Sequence, residues 1–242
     1  MRTMKNTPQH HTRRAALYGF AAAVFQYPDE AVVADLQDEA VQDAVRQAGV
    51  ELGLDSEVDA LLDALDGVDR DSLEPAYNRL FGLPGDGGTY PVVPYEAHYT
   101  TGEEVNESQR RIATVVGLLE EFGLEISDEF DERHDHVTVE LELLQVLAAQ
   151  RAVALDGGDD ETAIRLAQAG ATVLDEHLTD FVPAFAHRVR KTVNGDGSSD
   201  RDLPEASAVY AAAADLAAAL VEFDEASHPD PVSPGTGVRA DG

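Results

Sequence analysis

The sequence predicts an all-α fold: a single helical-bundle body of two helical parts that are joined by a Pro/Gly-rich hinge loop. Apolar residues recur at helical spacing through nearly the whole chain, and no segment alternates apolar and polar residues as a half-buried strand does. The helical spacing stops between residues 82 and 95, where glycine and proline are concentrated. Long ordered loops in compact domains tend to be functional, so this loop marks both a boundary and a candidate site.

The N-terminal part, at about residues 12–81, is predicted to contain four helices. The first, Thr12–Gln26, is apolar and rich in alanine. Pro28 begins the second, because proline suits the first position of a helix and the acidic residues after it suit the helix dipole. Two shorter helices are predicted at Ser56–Leu65, with the first serine as its cap, and at Ser72–Phe81.

The C-terminal part, residues 103–225, follows the hinge loop at residues 82–102. Its most apolar helix carries valine and leucine on most of its circumference and is therefore predicted to be the buried central helix. The predicted helices are Glu103–Phe122, the central His134–Leu155, Asp159–Leu178, Phe181–Val193 and Pro204–Phe223. A loop is predicted at residues 194–202. Residues 1–226 are thus expected to form one domain, followed by a disordered tail at residues 227–242.

The charge of the chain limits its partners. Seventeen lysines and arginines stand against 47 aspartates and glutamates, which leaves a net charge of −30. Such a surface repels nucleic acid and anionic lipid, so neither is predicted as a partner. Because the acidic residues are spread over the whole chain, we interpret the charge as adaptation to high salt in a halophilic source. Cysteine is absent, which excludes disulfides, thiolate metal sites and cysteine nucleophiles.

The pair Arg13-Arg14, followed by apolar residues, looks like a twin-arginine export signal. We interpret it instead as the basic start of the first helix, because Tyr18 interrupts the apolar stretch and no polar cleavage region follows. Pro28 leads directly into another helix. The chain also lacks an uncharged apolar run long enough to span a membrane. We therefore expect a cytoplasmic protein.

The segment His134-Asp135-His136, with Glu140 one turn further, admits three interpretations. Histidines and carboxylates at helical spacing can bind a metal, which suggests a metal-dependent helical enzyme using His134, His136 and Glu140, together with His177. Residues two apart on a helix point in different directions, however. The second interpretation is that Asp135 caps the central helix and His136 is a partly buried histidine. The third is that the segment binds a partner.

Aromatic residues flank the hinge loop on both sides. Tyrosine combines apolar area with a polar tip, which suits peptide recognition, but these residues equally suit packing between the two helical parts. No glycine-rich phosphate loop and no serine nucleophile elbow is present, so no catalytic residue is predicted.

Short motifs follow one another between residues 14 and 193. They are Leu17-Tyr18 before Tyr27-Pro28, Tyr77-x-x-Leu80-Phe81, Pro94-Tyr95-Glu96-x-x-Tyr99, Asp135-His136-Val137-x-x-Glu140-Leu141, and His177-Leu178 before Phe181-x-Pro183-x-Phe185. Their order and separations resemble the TorD/DmsD/NarJ family of redox-enzyme maturation chaperones. The chain departs from that pattern at His134, where the family has proline, at Phe181, where it has tryptophan, and at Ala97, where it has serine.

The resemblance implies an all-α chaperone with no enzymatic activity, no cofactor and no resident metal. It implies that the partner is the catalytic-subunit precursor of a molybdopterin-dependent reductase for dimethyl sulfoxide, trimethylamine oxide or nitrate. The chaperone would bind the twin-arginine signal peptide and the body of this precursor and assist cofactor insertion before export. Members of such folds are expected as monomers or domain-swapped dimers.

The expected client site follows from the chemistry of that signal peptide. Two guanidiniums need carboxylates that accept paired hydrogen bonds, and an apolar stretch needs a groove. The candidate carboxylates are Asp135, Glu140 and Glu96. The candidates for the groove are Tyr77, Phe81, Tyr95, Tyr99 and Val137. We expect Asp135 and His136 to lie beside Pro94–Tyr99, where the two helical parts meet, and to form the client site with them.

Overall fold

The computed structural model confirms the all-α fold. It describes residues 6–82, 91–100, 105–126, 132–195 and 203–227. Within these ranges the regular structure is helical, and the β-type pairing consists of an isolated antiparallel bridge between Tyr95 and His136. Residues 83–90, 101 and 102 of the predicted hinge loop, residues 196–202 of the loop near residue 200 and residues 228–242 of the tail lie outside the described residues.

The helices are numbered in chain order. They are α1 (Pro8–Val24), α2 (Glu30–Leu36), α3 (Glu39–Leu52), α4 (Asp55–Leu65), α5 (Arg70–Leu80), α6 (Ala97–Thr100), α7 (Val105–Glu121), α8 (Val137–Asp156), α9 (Asp160–Val173), α10 (Thr179–Asn194) and α11 (Ser207–Glu225). A π-helical turn, Leu174–Leu178, connects α9 to α10. None of the described helices is long and apolar enough to cross a membrane.

Local capping explains where the N-terminal helices differ from the prediction. Helix α1 begins earlier than Thr12, because the Thr7 side chain accepts a hydrogen bond from the His10 backbone N–H and Pro8 occupies the first position. The predicted second helix is two helices, since the Asp38 side chain accepts from the Val41 N–H and starts α3. Helix α4 lacks the predicted serine cap, because the residue before its first turn is a leucine.

The C-terminal part contains one continuous helical run where a break was predicted. Residues 160–194 pass from α9 through the π-helical turn into α10, and the Thr179 N–H bonds to the Leu174 carbonyl five residues back. A π turn adds a residue to one helical turn and thereby rotates the side chains that follow, and such turns are frequent at functional sites. His177 lies within this turn and is buried.

A continuous apolar core connects the two helical parts. Helix α8 is buried on most sides, which confirms the predicted central helix, and α1 packs along it. Aromatic rings from both parts meet at Phe25, Phe81 and Phe185, with ring centroids 5.3 Å apart for Phe25–Phe185 and 6.2 Å apart for Phe81–Phe185. Tyr77 joins this group through Phe81 at 5.3 Å. Tyr77 of α5 and Phe81 directly after it therefore pack between the N-terminal and C-terminal helical parts.

A buried ionic cluster ties the first helix to the last. The Asp224 carboxylate accepts hydrogen bonds from the Arg14 guanidinium and, at 2.7 Å, from the Tyr18 hydroxyl. The Asp224 side chain is only 2% exposed and that of Arg14 only 11%. Arg13 pairs with Glu51 at 3.1 Å on the outside of the same helix. Both arginines of the export-like motif are thus bonded within the folded body.

Replacing Asp224 by alanine is expected to destabilise the protein strongly. The change leaves the buried Arg14 guanidinium without its carboxylate, which costs about 3–5 kcal/mol in the free energy of unfolding. Asp215→Ala is the matched control on α11, because its ion pair with Arg190 is partly exposed and is worth less than about 1 kcal/mol. Urea unfolding of both variants measures the difference. Equal losses of stability in the two variants would contradict the assignment of the Asp224 cluster as the contact that holds α1 against α11.

Candidate functional site

The segment Pro94–Glu96, within the predicted hinge loop, pairs with the start of α8. The Val137 N–H donates to the Pro94 carbonyl at 2.9 Å, and the Glu96 N–H donates to the Asp135 carbonyl at 2.9 Å. These two bonds flank the bridge between Tyr95 and His136. The structure therefore places the Pro94–Tyr99 segment beside Asp135 and His136, as the sequence predicted.

Asp135 organises the turn around it instead of capping the central helix. Its side chain is fully buried, and its Oδ2 accepts from the Arg133 guanidinium at 2.7 Å and from the Ala97 N–H at 3.2 Å. The expectation that Asp135 caps α8 is wrong, because His136 occupies the cap position. Asp135 consequently fixes the start of α6 to the segment that precedes α8.

His136 caps α8 as a neutral imidazole. Its Nδ1 accepts a hydrogen bond from the Thr138 N–H at 3.2 Å, and its ring lies edge-on to Tyr95. Burial lowers the pKa of His136 from 6.5 to about 3. A capping histidine must keep a lone pair on the accepting nitrogen, and the lowered pKa keeps that nitrogen unprotonated at neutral pH.

Several buried polar side chains, which we call the junction cluster, lie next to this pairing. It consists of Glu96, Glu140 and His177 with Arg111 beside them. The two oxygens of Glu96 accept from Arg111 Nη1 at 2.7 Å and bond to His177 Nδ1 at 3.1 Å. Arg111 also donates to the Glu176 carbonyl in the π-helical turn. The cluster thus connects α7, α8, the π-helical turn and the end of the hinge loop.

Glu140 has the fewest hydrogen-bond partners of the residues in the junction cluster. It is fully buried, and among the described residues no donor group bonds to either of its oxygens. Burial raises the pKa of Glu140 well above its usual value, and the neighbouring carboxylates of Glu96 and Asp135 raise it further. A carboxyl group in this position must gain either a proton or a cation.

Sequence reasoning missed Arg111 and the grouping around it. No local spacing indicates this residue, since its hydrogen-bond partners lie 15 and 65 positions away. The metal set proposed from the sequence is not assembled either: His134 is exposed, and His136 uses Nδ1 as the helix cap. Within the described parts of the chain, the group with metal-binding geometry is Glu96, Glu140 and His177.

The remaining predicted client residues lie around the junction cluster. Tyr99 packs against Phe181 with ring centroids 5.4 Å apart, and Pro94 is buried. Tyr95 is half-buried, and the Arg133 guanidinium lies 4.9 Å from the centre of its ring. Tyr77 and Phe81 are each 8% exposed within the aromatic core. The predicted residues are therefore brought together, but most of them face inward.

A cleft of about 450 Å³ opens on the outer side of α8. Its walls come from the turn between α1 and α2, the end of α7 and the face of α8. Its apolar lining includes Val32, Leu119, Ile126, Val139 and Val146, and its acidic lining consists of Asp29, Glu125 and Glu142. The sequence analysis did not identify this cleft, because its three walls are far apart in the chain.

The stability of the protein is expected to fall in acid partly because of His136. With a folded pKa of about 3 and an ordinary value of 6.5, the unfolded chain binds the additional proton as the pH falls below 6.5. His136→Asn keeps a capping acceptor but does not titrate. Between pH 6.5 and about pH 4, the parent should lose about 1.4 kcal/mol per pH unit more than the variant.

Urea unfolding across this pH range measures the effect. His187→Asn, at an exposed position of α10, is the control and should follow the parent. A stability difference between parent and His136→Asn that is independent of pH would refute the buried neutral histidine.

The comparisons with known proteins agree with the geometry. Residues 29–187, more than half of the chain, match the family described as the nitrate reductase delta subunit. No curated protein matches the chain significantly. The matched region contains the hinge segment, α8 and the whole junction cluster. The family resemblance indicated by the motifs is confirmed: the chain belongs to the nitrate reductase delta subunit family, a family of molybdoenzyme maturation chaperones.

Proposed function

We propose that this protein is a cytoplasmic chaperone for the catalytic-subunit precursor of a molybdopterin-dependent reductase of the dimethyl sulfoxide, trimethylamine oxide or nitrate class. It binds the precursor's twin-arginine signal peptide and folded body, assists cofactor insertion before export and catalyses no reaction itself. Family membership supports the role in maturation. The observation that carries the peptide-binding part is the cleft beside α8, which combines an apolar floor with an acidic rim.

The floor of the cleft suits the apolar stretch of a signal peptide. Apolar side chains from three separate walls face one space of about 450 Å³, which is within the usual range of ligand sites. An apolar helix that enters such a groove buries its side chains against both walls. Apolar contacts become more favourable as salting-out ions accumulate, whereas exposed ion pairs are screened, so the floor should dominate affinity in concentrated salt.

The rim of the cleft suits the two arginines. Asp29 and Glu125 are exposed at its edge, and Glu142 lies deeper, where its Oε1 accepts from Gln26 Nε2 at 2.6 Å. Carboxylates bind guanidinium groups through paired, charge-assisted hydrogen bonds. The acidic rim next to an apolar floor therefore matches the order of charges and apolar residues in a twin-arginine peptide.

The junction cluster supports the cleft through α8. Glu140 points into the cluster, while Val139, Glu142 and Val146 of the same helix line the cleft. A displacement at the start of α8 would therefore change the shape of the cleft. The direct client-binding role expected for the residues around the junction stays a prediction, and the burial of most of them favours an indirect role through the position of α8.

Variants of the cleft test the peptide-binding proposal. Val32→Ser combined with Val146→Ser removes apolar surface from two walls and should weaken binding about tenfold or more, at about 0.8 kcal/mol per lost methylene equivalent. Asp29→Asn combined with Glu125→Gln should weaken binding at low salt and have less effect at high salt. The measurement is fluorescence anisotropy with a labelled peptide that carries two arginines followed by an apolar stretch.

Two controls make this result specific. Glu222→Gln removes an exposed carboxylate from α11, on a helix that does not line the cleft, and should leave binding unchanged. A peptide with both arginines replaced by lysines should bind more weakly to the parent, because lysine lacks the paired donors. Parent-like affinity in the floor variant would place the site elsewhere, and no affinity in the parent would reject signal-peptide binding.

Asp135→Asn separates direct contact from structural support. Asparagine retains an acceptor for the Ala97 N–H but loses the charge that faces Arg133, whose side chain is 49% exposed. We expect a loss of about 1 kcal/mol in stability and weaker binding of the twin-arginine peptide. Urea unfolding and the same anisotropy titration measure the two effects. Reduced stability with unchanged peptide affinity would mean that Asp135 is structural only.

A further inference from the structure

Three side chains of the junction cluster converge on one buried point. The ligand atoms of Glu96, Glu140 and His177 all lie within 4.8 Å of one another. All three residues are buried, with 0%, 0% and 2% of their surfaces exposed. They come from separate elements, namely the end of the hinge loop, α8 and the π-helical turn. Their convergence is therefore produced by the tertiary fold and not by the spacing along one helix.

Buried polar atoms near this point lack hydrogen-bond partners. Both oxygens of Glu140 lack a hydrogen-bond partner among the described residues, and His177 Nδ1 beside them bonds only to Glu96. Leaving such groups buried and unpaired is costly, so native proteins normally supply a partner. The unmet capacity of the Glu140 carboxylate, beside a second carboxylate and an imidazole, indicates a ligand that accepts lone pairs.

The charges around the point are also unbalanced. Three buried carboxylates, those of Glu96, Asp135 and Glu140, lie near one another. Two guanidiniums bond to them, Arg111 to Glu96 and Arg133 to Asp135. One negative charge is left when all three carboxylates are ionised, and a proton on Glu140 removes it, because burial raises the pKa of that group. A bound cation would compensate it, although the charge of Arg111 reduces the attraction.

We propose that Glu96, Glu140 and His177 bind a divalent transition-metal ion, for which zinc is the best fit. Zinc forms bonds of about 2.0–2.2 Å to imidazole nitrogen and carboxylate oxygen, so two ligands of a tetrahedral site lie about 3.3 Å apart. His177 Nδ1 and Glu96 Oε2 are 3.1 Å apart. Two carboxylates and one imidazole suit zinc better than magnesium, which prefers oxygen ligands and retains its waters.

Arg111 and the π-helical turn orient these ligands. Arg111 Nη1 holds Glu96 Oε1 at 2.7 Å, which directs the other oxygen of that carboxylate towards His177. Outer partners of this kind commonly set the orientation of metal ligands. The bound ion would link the hinge-loop end to α8 and to the α9–α10 run. This inference is independent of the proposed chaperone function, and its test requires no client.

Zinc binding is measured on the full-length protein after dialysis against a chelator. Calorimetric titration of this metal-free protein with Zn²⁺ should give one site per chain, and zinc should raise the unfolding temperature. Elemental analysis of the zinc-loaded protein, after dialysis into buffer without chelator, should find about one zinc per chain. Glu140→Gln keeps the size of the side chain and removes a ligand, so zinc affinity should fall by at least about 100-fold. His177→Gln is the second variant and removes the nitrogen ligand.

Exposed histidines provide the control. His187→Gln on α10 should bind zinc as the parent does, which separates the buried site from adventitious surface binding. A parent protein that takes up no zinc under these conditions overturns the proposal. Parent-like affinity in either Glu140→Gln or His177→Gln overturns it as well, because the bound ion would then lie elsewhere.

Discussion

The structure depends on the short antiparallel pairing between the end of the hinge loop and the residues that start α8. The first N–H groups of a helix have no partner within the helix and must be satisfied from outside. At α8 the Pro94 carbonyl accepts from Val137, and the His136 ring accepts from Thr138. The same pairing also places Glu96 in the interior. The contacts that cap the central helix therefore also bring the junction cluster together.

Buried charge is the second feature that defines this molecule. A chain with a net charge of −30 has many carboxylates at its surface, where hydration stabilises them. Three of the four buried carboxylates among the described residues are paired with arginines: Asp224 with Arg14, Asp135 with Arg133 and Glu96 with Arg111, whereas Glu140 is not. Breaking such a pair is expensive, so these contacts restrict how the helices can pack against one another. Three of the scarce basic residues thus lie where a carboxylate leaves water.

The position of α8 relates these polar contacts to function. One side of the helix carries Glu140 into the junction cluster, and a neighbouring side lines the cleft. A chaperone must hold its client and later release it, which requires a binding surface whose affinity can change. Under the proposed function, a cleft wall that is anchored at one end by a polar cluster would provide such a surface, because a change at the cluster would shift the helix.

The sequence by itself determined the helices, because hydrophobic spacing and capping act over a few residues. It indicated the central helix, a helix that starts near Asp159 and the proximity of the Pro94–Tyr99 segment to Asp135. It did not indicate the break at Asp38, since one more aspartate is inconspicuous in so acidic a chain. Only the tertiary structure decided that Arg111 joins the junction cluster and that Glu140 is buried. Such partners are separated by tens of residues, and their interaction depends on distances that exist only after the helices have packed.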